Sequence, residues 1–338
     1  MSENAIKITP KDFKVDMMAK WCAGCGDHFV LHSVHKALPE LDVKHEDFVF
    51  VSGIGCSSRF PYYMNTYGFH GIHGRAAAIS SGVKVANPEL SVWNITGDGD
   101  ALAIGGNHFI HCIRRNIDIN ILLFNNEIYG LTKGQYSPTS KEGAVSKTSP
   151  FGTVERPFSP GALTIGANGS FFARTIDSNI KLSTDIFVEA GNFKGTSVIE
   201  ILQNCVIFND MTFGDIVDKE HKDDRQLILK HGEPMIFGKE LDKGIILEGL
   251  KLKVVKIGEN GITEKDILVH DAHCEETGIH TLLVNMKLPK FPVALGVIRS
   301  VKMKTYDAAV VEQIKTVQSE TKIKCMDDLL NSGKTWTI

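Results

Sequence analysis

No run of about 18 apolar residues occurs in the chain, and a helix needs roughly that many to cross a bilayer. The first residues, MSENAIKITPKDFKVDMMAKW, lack the apolar core of a secretory leader. There is no surplus of positive charge either. A net charge of −3 and a pI near 6.5 argue against a nucleic-acid binder, which shows a basic face. Internal repeats and low-complexity tracts are absent as well. These absences point to a cytoplasmic protein with neither membrane nor nucleic acid as partner. In that setting the seven cysteines are better explained as thiols, metal ligands or redox groups than as a disulfide framework.

What is present is ample material for a core: 338 residues, 43% of them hydrophobic. The first two-thirds alternate short apolar runs with helical patterns, as an α/β domain with a mostly parallel sheet and helices on both faces requires. Strands are expected at Phe48–Ser52, Ser91–Thr96, Ile119–Phe124, Phe172–Thr175 and Ser197–Leu202. Helices are expected near Asp27–Ala37, Ala76–Ala86, Leu102–Arg115, Pro160–Gly166 and Ile180–Glu189. The stretch from Gly134 to Pro160, rich in Ser, Thr, Pro, Gly and Lys, reads as a long surface loop. After about Asn209 the character changes: charged stretches precede short β-like runs (Gly244–Leu247, Leu252–Ile257). We therefore divide the chain into a domain over 1–210 and a partner-contacting C-terminal extension over 211–338.

The strongest motif is Gly97-Asp98-Gly99-Asp100, followed 25 residues later by Asn125-Asn126. Gly97 and Gly99 let the backbone turn and approach a ligand closely. The following helix, from about Ala101, aims its N-terminal amides at that turn. Asp98 and Asn126 end successive strands, and their oxygens, with the carbonyl of Ile128, suit Mg²⁺. This is the pattern of thiamine-diphosphate enzymes.

The second motif is Cys22-Ala23-Gly24-Cys25, joined by Cys56 and Cys205. Cys56, Asp98, Asn126 and Cys205 each follow an expected strand. In a parallel sheet the carboxyl ends of strands share one rim, where ligands bind. Four thiolates suit Zn²⁺ or a [4Fe–4S] cluster. Adjacency to thiamine diphosphate favours the cluster, because that cofactor's chemistry generates an electron donor. Cys112, Cys274 and Cys325 have no motif around them. A third grouping, His70-Gly71-Ile72-His73-Gly74-Arg75 with Arg59, either lines the pocket or is ordinary loop structure. The two arginines would fit recognition of a dicarboxylic 2-oxo acid.

With these residues in place, the chain resembles the beta subunits of 2-oxoacid:ferredoxin oxidoreductases over at least residues 20–210, and the 2-oxoglutarate branch especially over Gly97–Ser140. The resemblance implies the fold of a pyrophosphate-binding domain, with thiamine diphosphate, Mg²⁺ and one [4Fe–4S] cluster as cofactors. It assigns Cys22, Cys25, Cys56 and Cys205 to the cluster, and Asp98, Asn126 and Ile128 to magnesium. Around the cofactor it places Ile54, Gly55, Cys56, Ser57, His73, Gly97, Gly99, Asp100, Gly130 and Leu131, with His73 and Arg59 as catalytic candidates. The implied reaction consumes a 2-oxo acid, coenzyme A and oxidised ferredoxin to give acyl-CoA, CO₂ and reduced ferredoxin. The family places the pyrimidine-binding domain on an alpha subunit, so activity is expected only with that partner. Pyruvate or a branched-chain acid is the alternative substrate. A non-oxidative thiamine-diphosphate lyase and a zinc-stabilised phosphate-binding module are the alternative classes, and iron content separates them.

Overall fold

The computed structural model describes residues 8–336. Its centre is an eight-stranded sheet built from β1 (Phe48–Ser52), β2 (Tyr67–His70), β3 (Ser91–Gly97), β4 (Asn120–Asn125), β5 (Phe171–Ile176), β6 (Ser197–Leu202), β7 (Gln226–Leu229) and β8 (Val293–Ser300). The spatial order is β2-β1-β3-β4-β6-β5-β8-β7. Every neighbouring pair is parallel except β8 with β5.

The central strands are apolar on both faces because both faces are covered, as a parallel sheet demands. Along β1, Phe48 and Phe50 join one core with Trp93, Ile95, Leu122 and Phe124. That core lies under α1 (Asp27–Ala37) and α6 (Ile180–Asn192), through Val30, Val34, Ile186 and Phe187. The alternate residues Val49 and Val51 join the other core with Val92, Ile121 and Leu123. It is covered by α2 (Ala76–Ala86), α4 (Gly106–Arg115) and α5 (Pro160–Gly166). The period-2 alternation of side chains across a strand thus sorts one apolar run into two cores.

The five expected strands are present, within a residue or two of their expected ends. Three others were not expected. β2 is exposed along its whole length, so it carries no apolar pattern to read. β7 and β8 come from beyond residue 210 and extend the same sheet. The β-like runs expected at 244–257 form Lys243–Glu248 and Lys251–Lys256, which pair antiparallel in a separate three-stranded sheet with Ile236–Phe237.

Two further expectations are corrected. The helix expected over Leu102–Arg115 is two helices, α3 (Asp98–Leu102) and α4, broken at Ala103–Gly105. A Cβ on Gly105 would sit 2.3 Å from the Asp100 carbonyl, so the chain turns sharply there against α3. The amides beside the Gly97 turn therefore belong to a short helix that starts at Asp98 itself. The stretch Gly134–Pro160 is not a surface loop throughout: Ser137, Thr139 and Ser140 are buried, and Gln135–Tyr136 pairs with Ile128–Tyr129.

Candidate active site

The carboxyl ends of β1, β3, β4 and β6 lie side by side on one rim. Cys56 follows β1, Asp98 follows β3, Asn126 follows β4, and Cys205 follows β6. Four separated sequence positions thereby meet across adjacent parallel strands.

A cavity of about 600 Å³ opens at this rim. Ile54, Gly55, Cys56, Ser57, His73, Gly97, Asp98, Gly99, Asp100, Asn126, Ile128, Gly130 and Leu131 all line it, together with Tyr129 and Gln135. Every position expected around the cofactor and the metal is therefore on one wall or another of one cavity. Gly99 is required by close approach: a Cβ there would lie 2.1 Å from the Tyr129 ring, and the Tyr129 hydroxyl donates to the Gly99 carbonyl at 3.1 Å.

The two acids in this cavity do different work. Asp100 organises the loops. Its Oδ1 accepts from the Ile54 and Gly74 backbone amides at 3.1 and 2.7 Å and from His73 Nδ1 at 2.8 Å, while its Oδ2 accepts from the Thr96 hydroxyl at 2.8 Å. Asp98 is held from the far side, where Oδ2 accepts from the Ser137 and Thr139 hydroxyls. Burial pushes its pKa up to about 6, against those hydrogen bonds. The Asp98 carboxylate, the Asn126 amide and the Ile128 backbone, all in the lining of this cavity, are a donor set suited to a hard divalent cation.

Behind Asp98 the hydrogen bonding continues. Thr139 reaches Asn125 Oδ1 at 2.9 Å, Asn125 Nδ2 donates to Glu200 at 2.8 Å, and Arg174 Nε donates to Glu200 at 2.7 Å. Glu200 and Arg174 are both buried, so each charge depends on the other for compensation. None of Ser137, Thr139, Glu200 or Arg174 was singled out from the sequence. The Ser137-Pro138-Thr139-Ser140 hydroxyls were the available signal, hidden in a stretch with the composition of a loop.

A second cavity of about 220 Å³ adjoins the first. Cys22, Cys25, Cys56 and Cys205 all line it, as do Asp27, Arg59, Lys133 and Gln203. Cys56, Asn126, Gly130 and Leu131 belong to both cavities. A Cβ on Gly130 would be 3.6 Å from both the Cys56 and the Cys205 sulfur. Burial pushes the Cys56 thiol up to about 12 and Cys25 higher still, with the Asp27 carboxylate adding to both. A soft, positively charged group between the sulfurs would reverse that penalty. Among the described residues, no three Cys, His, Asp or Glu side chains converge closely enough to hold a single metal ion. Arg59 lines this second cavity and not the first, and its guanidinium donates to the Lys20 carbonyl at 2.9 Å. Cys112 is buried within α4, away from both cavities, while Cys325 is exposed.

A larger cavity, about 660 Å³, lies around the other ends of β3 and β4, beside Lys84 and Asp118. Those two residues pair with each other at 2.9 Å.

Comparison with known proteins gives the family. A family model described as thiamine pyrophosphate enzyme, C-terminal TPP binding domain, matches residues 53–201. The 2-oxoglutarate oxidoreductase subunit KorB of Mycobacterium tuberculosis is 45% identical over 97% of this chain and 88% of its own length. The 2-oxoglutarate synthase subunit KorB of Archaeoglobus fulgidus is 46% identical over 55% of this chain and 69% of its own. Among solved structures, a 2-oxoglutarate:ferredoxin oxidoreductase from Magnetococcus marinus, with 2-oxoglutarate, coenzyme A and succinyl-CoA bound, superposes with a TM-score of 0.78 at 28% identity, covering 98% of both chains. The chain belongs to the family of 2-oxoacid:ferredoxin oxidoreductase beta subunits that includes KorB.

Proposed function

We propose that this chain is the cofactor-binding beta subunit of a 2-oxoglutarate:ferredoxin oxidoreductase. The reaction is 2-oxoglutarate, coenzyme A and two oxidised ferredoxins giving succinyl-CoA, CO₂, two reduced ferredoxins and a proton. The observation that carries this reading is the pair of adjoining cavities: one lined by Asp98, Asn126 and Ile128, the other by four cysteines, with Cys56 common to both.

Asp98, Asn126 and the Ile128 carbonyl would hold Mg²⁺ and through it thiamine diphosphate. Cys22, Cys25, Cys56 and Cys205 would hold one [4Fe–4S] cluster. Bound there, the two groups supply the decarboxylation chemistry and a path for single electrons. Four thiols line one cavity, yet no three metal-binding side chains among the described residues converge on a single-ion site, which supports a cluster over a single zinc ion. The chain's own part is orientation. Asp100 fixes the His73 ring by its Nδ1–H, leaving Nε2 to exchange a proton or hydrogen-bond with the substrate in the cavity that His73 lines. The distal carboxylate of 2-oxoglutarate is assigned to Arg59, three residues after Cys56, which lines the thiol cavity and would reach the substrate across the Cys56, Gly130 and Leu131 wall that the two cavities share. An alpha subunit, bearing the pyrimidine-binding domain, and ferredoxin are the protein partners. All seven cysteines are unpaired, which fits a reducing cytoplasm, and no helix among the described residues is long and apolar enough to cross a membrane.

Co-expression with the alpha subunit, followed by metal analysis and viologen reduction over a panel of 2-oxo acids, tests the reading. Iron with coenzyme A-dependent turnover of 2-oxoglutarate is expected. Zinc without thiamine diphosphate affinity would leave the phosphate-binding module, and a preference for pyruvate would move the chain to another branch. In the same assay Arg59→Leu should lower kcat/KM for 2-oxoglutarate at least about tenfold more than for 2-oxobutyrate, since a charge-assisted contact contributes about 1.5–3 kcal/mol. Equal losses would remove Arg59 from substrate recognition.

A further inference from the structure

One side chain touches both donor sets. Gln203, just past the end of β6, is 1% exposed. Its Nε2 donates to the Cys25 sulfur at 3.4 Å and to the Asn204 carbonyl. Its Oε1 accepts from Asn126 Nδ2 at 2.9 Å. A cysteine ligand's sulfur and a backbone carbonyl are both acceptors, so the Gln203 amide has one workable orientation. That orientation presents Oε1 to Asn126, and only the NH₂ end of Asn126 can answer it. Asn126 Oδ1 is then the oxygen left over, 3.2 Å from the Ile128 amide. It is the atom Asn126 has to offer a cation in the cavity that it lines. The packing is tight: a Cβ on Gly26, the residue after Cys25, would lie 2.9 Å from Gln203 Cγ and 2.0 Å from Asp177 Oδ2. The Cys25-Gly26 turn therefore closes directly on the glutamine.

We infer that Gln203 is a positioning residue shared by the two sites. Its N–H raises the reduction potential of the cluster through Cys25, and its carbonyl holds the Asn126 amide oxygen toward the metal–diphosphate site. The inference rests on the cluster and metal assignment proposed above. A hydrogen bond to a cluster ligand's sulfur stabilises the more negative, reduced state, and such bonds are among the factors that set cluster potentials. The outer partners that orient metal ligands tune a site in the same manner.

The test uses the complex with its alpha subunit, purified anaerobically as the native sequence, Gln203→Glu and Gln203→Leu. Two quantities are read: the cluster midpoint potential, from a redox titration followed by paramagnetic resonance, and Mg²⁺-dependent thiamine diphosphate affinity, by calorimetry. Gln203→Glu keeps an acceptor for Asn126 and loses the N–H, so the potential should fall while the affinity holds. Gln203→Leu loses both contacts, so the potential should fall and the affinity should weaken about tenfold, the loss of one hydrogen bond of about 1.4 kcal/mol. Should the leucine variant not fold, Gln203→Met, uncharged and of similar length, decides the sulfur contact by its potential. A native-like potential in a variant with intact cluster overturns the role toward Cys25. Native affinity in Gln203→Leu overturns the role toward Asn126. A native complex lacking both cofactors overturns the functional reading beneath the inference, whereas a fully loaded native complex with unshifted variants overturns the inference alone.

Discussion

Two hydroxyls hold Asp98, and this shapes what the proposed metal site can tolerate. Ser137 and Thr139 both reach Oδ2, and Thr139 also reaches Asn125 Oδ1. A hydroxyl has one proton to donate, so Thr139 can serve only one of its two acceptors at a time, and Ser137, also within reach of the Thr139 and Ser140 hydroxyls, is the second donor to Asp98. Asn125 cannot turn to relieve this, since its NH₂ end is committed to Glu200. Thr139→Val removes the hydroxyl at almost constant shape. The expected result is Mg²⁺-dependent thiamine diphosphate affinity about tenfold weaker in the reconstituted complex, because a hydrogen bond to a charged group contributes about 1.5–3 kcal/mol. Calorimetric titration measures it, and an unchanged affinity would mean that Ser137 alone holds the carboxylate. At this scale the sequence was readable where chemistry demands a rare combination, as in Gly97-Asp98-Gly99 with Asn125-Asn126, or Cys22 and Cys25 with two more cysteines. It was not readable where ordinary residues do the holding. Thr139 looks like any loop threonine, and Gln203 like any glutamine after a strand, until folding brings each within hydrogen-bond distance of a proposed ligand residue.

The same division holds for elements. Strands buried on both faces announce themselves as apolar runs, and β1, β3, β4 and β6 were legible for that reason. β2 has no buried face. β8 is buried throughout, yet its Val293–Ser300 sequence includes Gly296 and Arg299, which interrupt the pattern. Arg299 is tolerated because Gly169, Cys274 and Glu275 carbonyls and the His280 ring satisfy its guanidinium. β8 covers the edge of β5 and is itself flanked by β7, so residues beyond 210 complete the sheet. Leu227, Leu283, Val284, Ala294 and Ile298 also belong to the same core as Val49 and Ile121. A chain ending at residue 210 should therefore lose that core and leave β5 an unpaired, apolar edge, which invites aggregation. Soluble yield and near-ultraviolet dichroism are the measurements. A soluble fragment with a cooperative unfolding transition would show that β7 and β8 are dispensable to the domain.

For the whole molecule, the question is whether one chain holds a complete site. Thiamine-diphosphate enzymes activate their cofactor with a carboxylate set against the aminopyrimidine ring, as the family resemblance implies. Asp98 and Asp100 are the acids lining the 600 Å³ cavity at the carboxyl rim, and neither is at liberty. Asp100 is engaged by four donors: the Ile54 and Gly74 amides, His73 and Thr96. Asp98 is clamped by two hydroxyls and is the residue proposed to ligate Mg²⁺. Freeing Asp100 would leave two backbone amides and a histidine without their acceptor, at about 1–3 kcal/mol for each buried donor. We therefore predict that the activating carboxylate comes from a second chain. The purified subunit, reconstituted with iron, Mg²⁺ and thiamine diphosphate, should show no coenzyme A-dependent reduction of viologen by 2-oxoglutarate. Adding the alpha subunit should restore turnover with saturation at one alpha per beta. Substituting the alpha subunit's activating carboxylate by its amide should abolish that restoration while leaving the complex assembled, as judged by size-exclusion chromatography. Turnover by the beta subunit alone, with mass spectrometry detecting no alpha chain, would place the missing carboxylate within this chain and refute the split site.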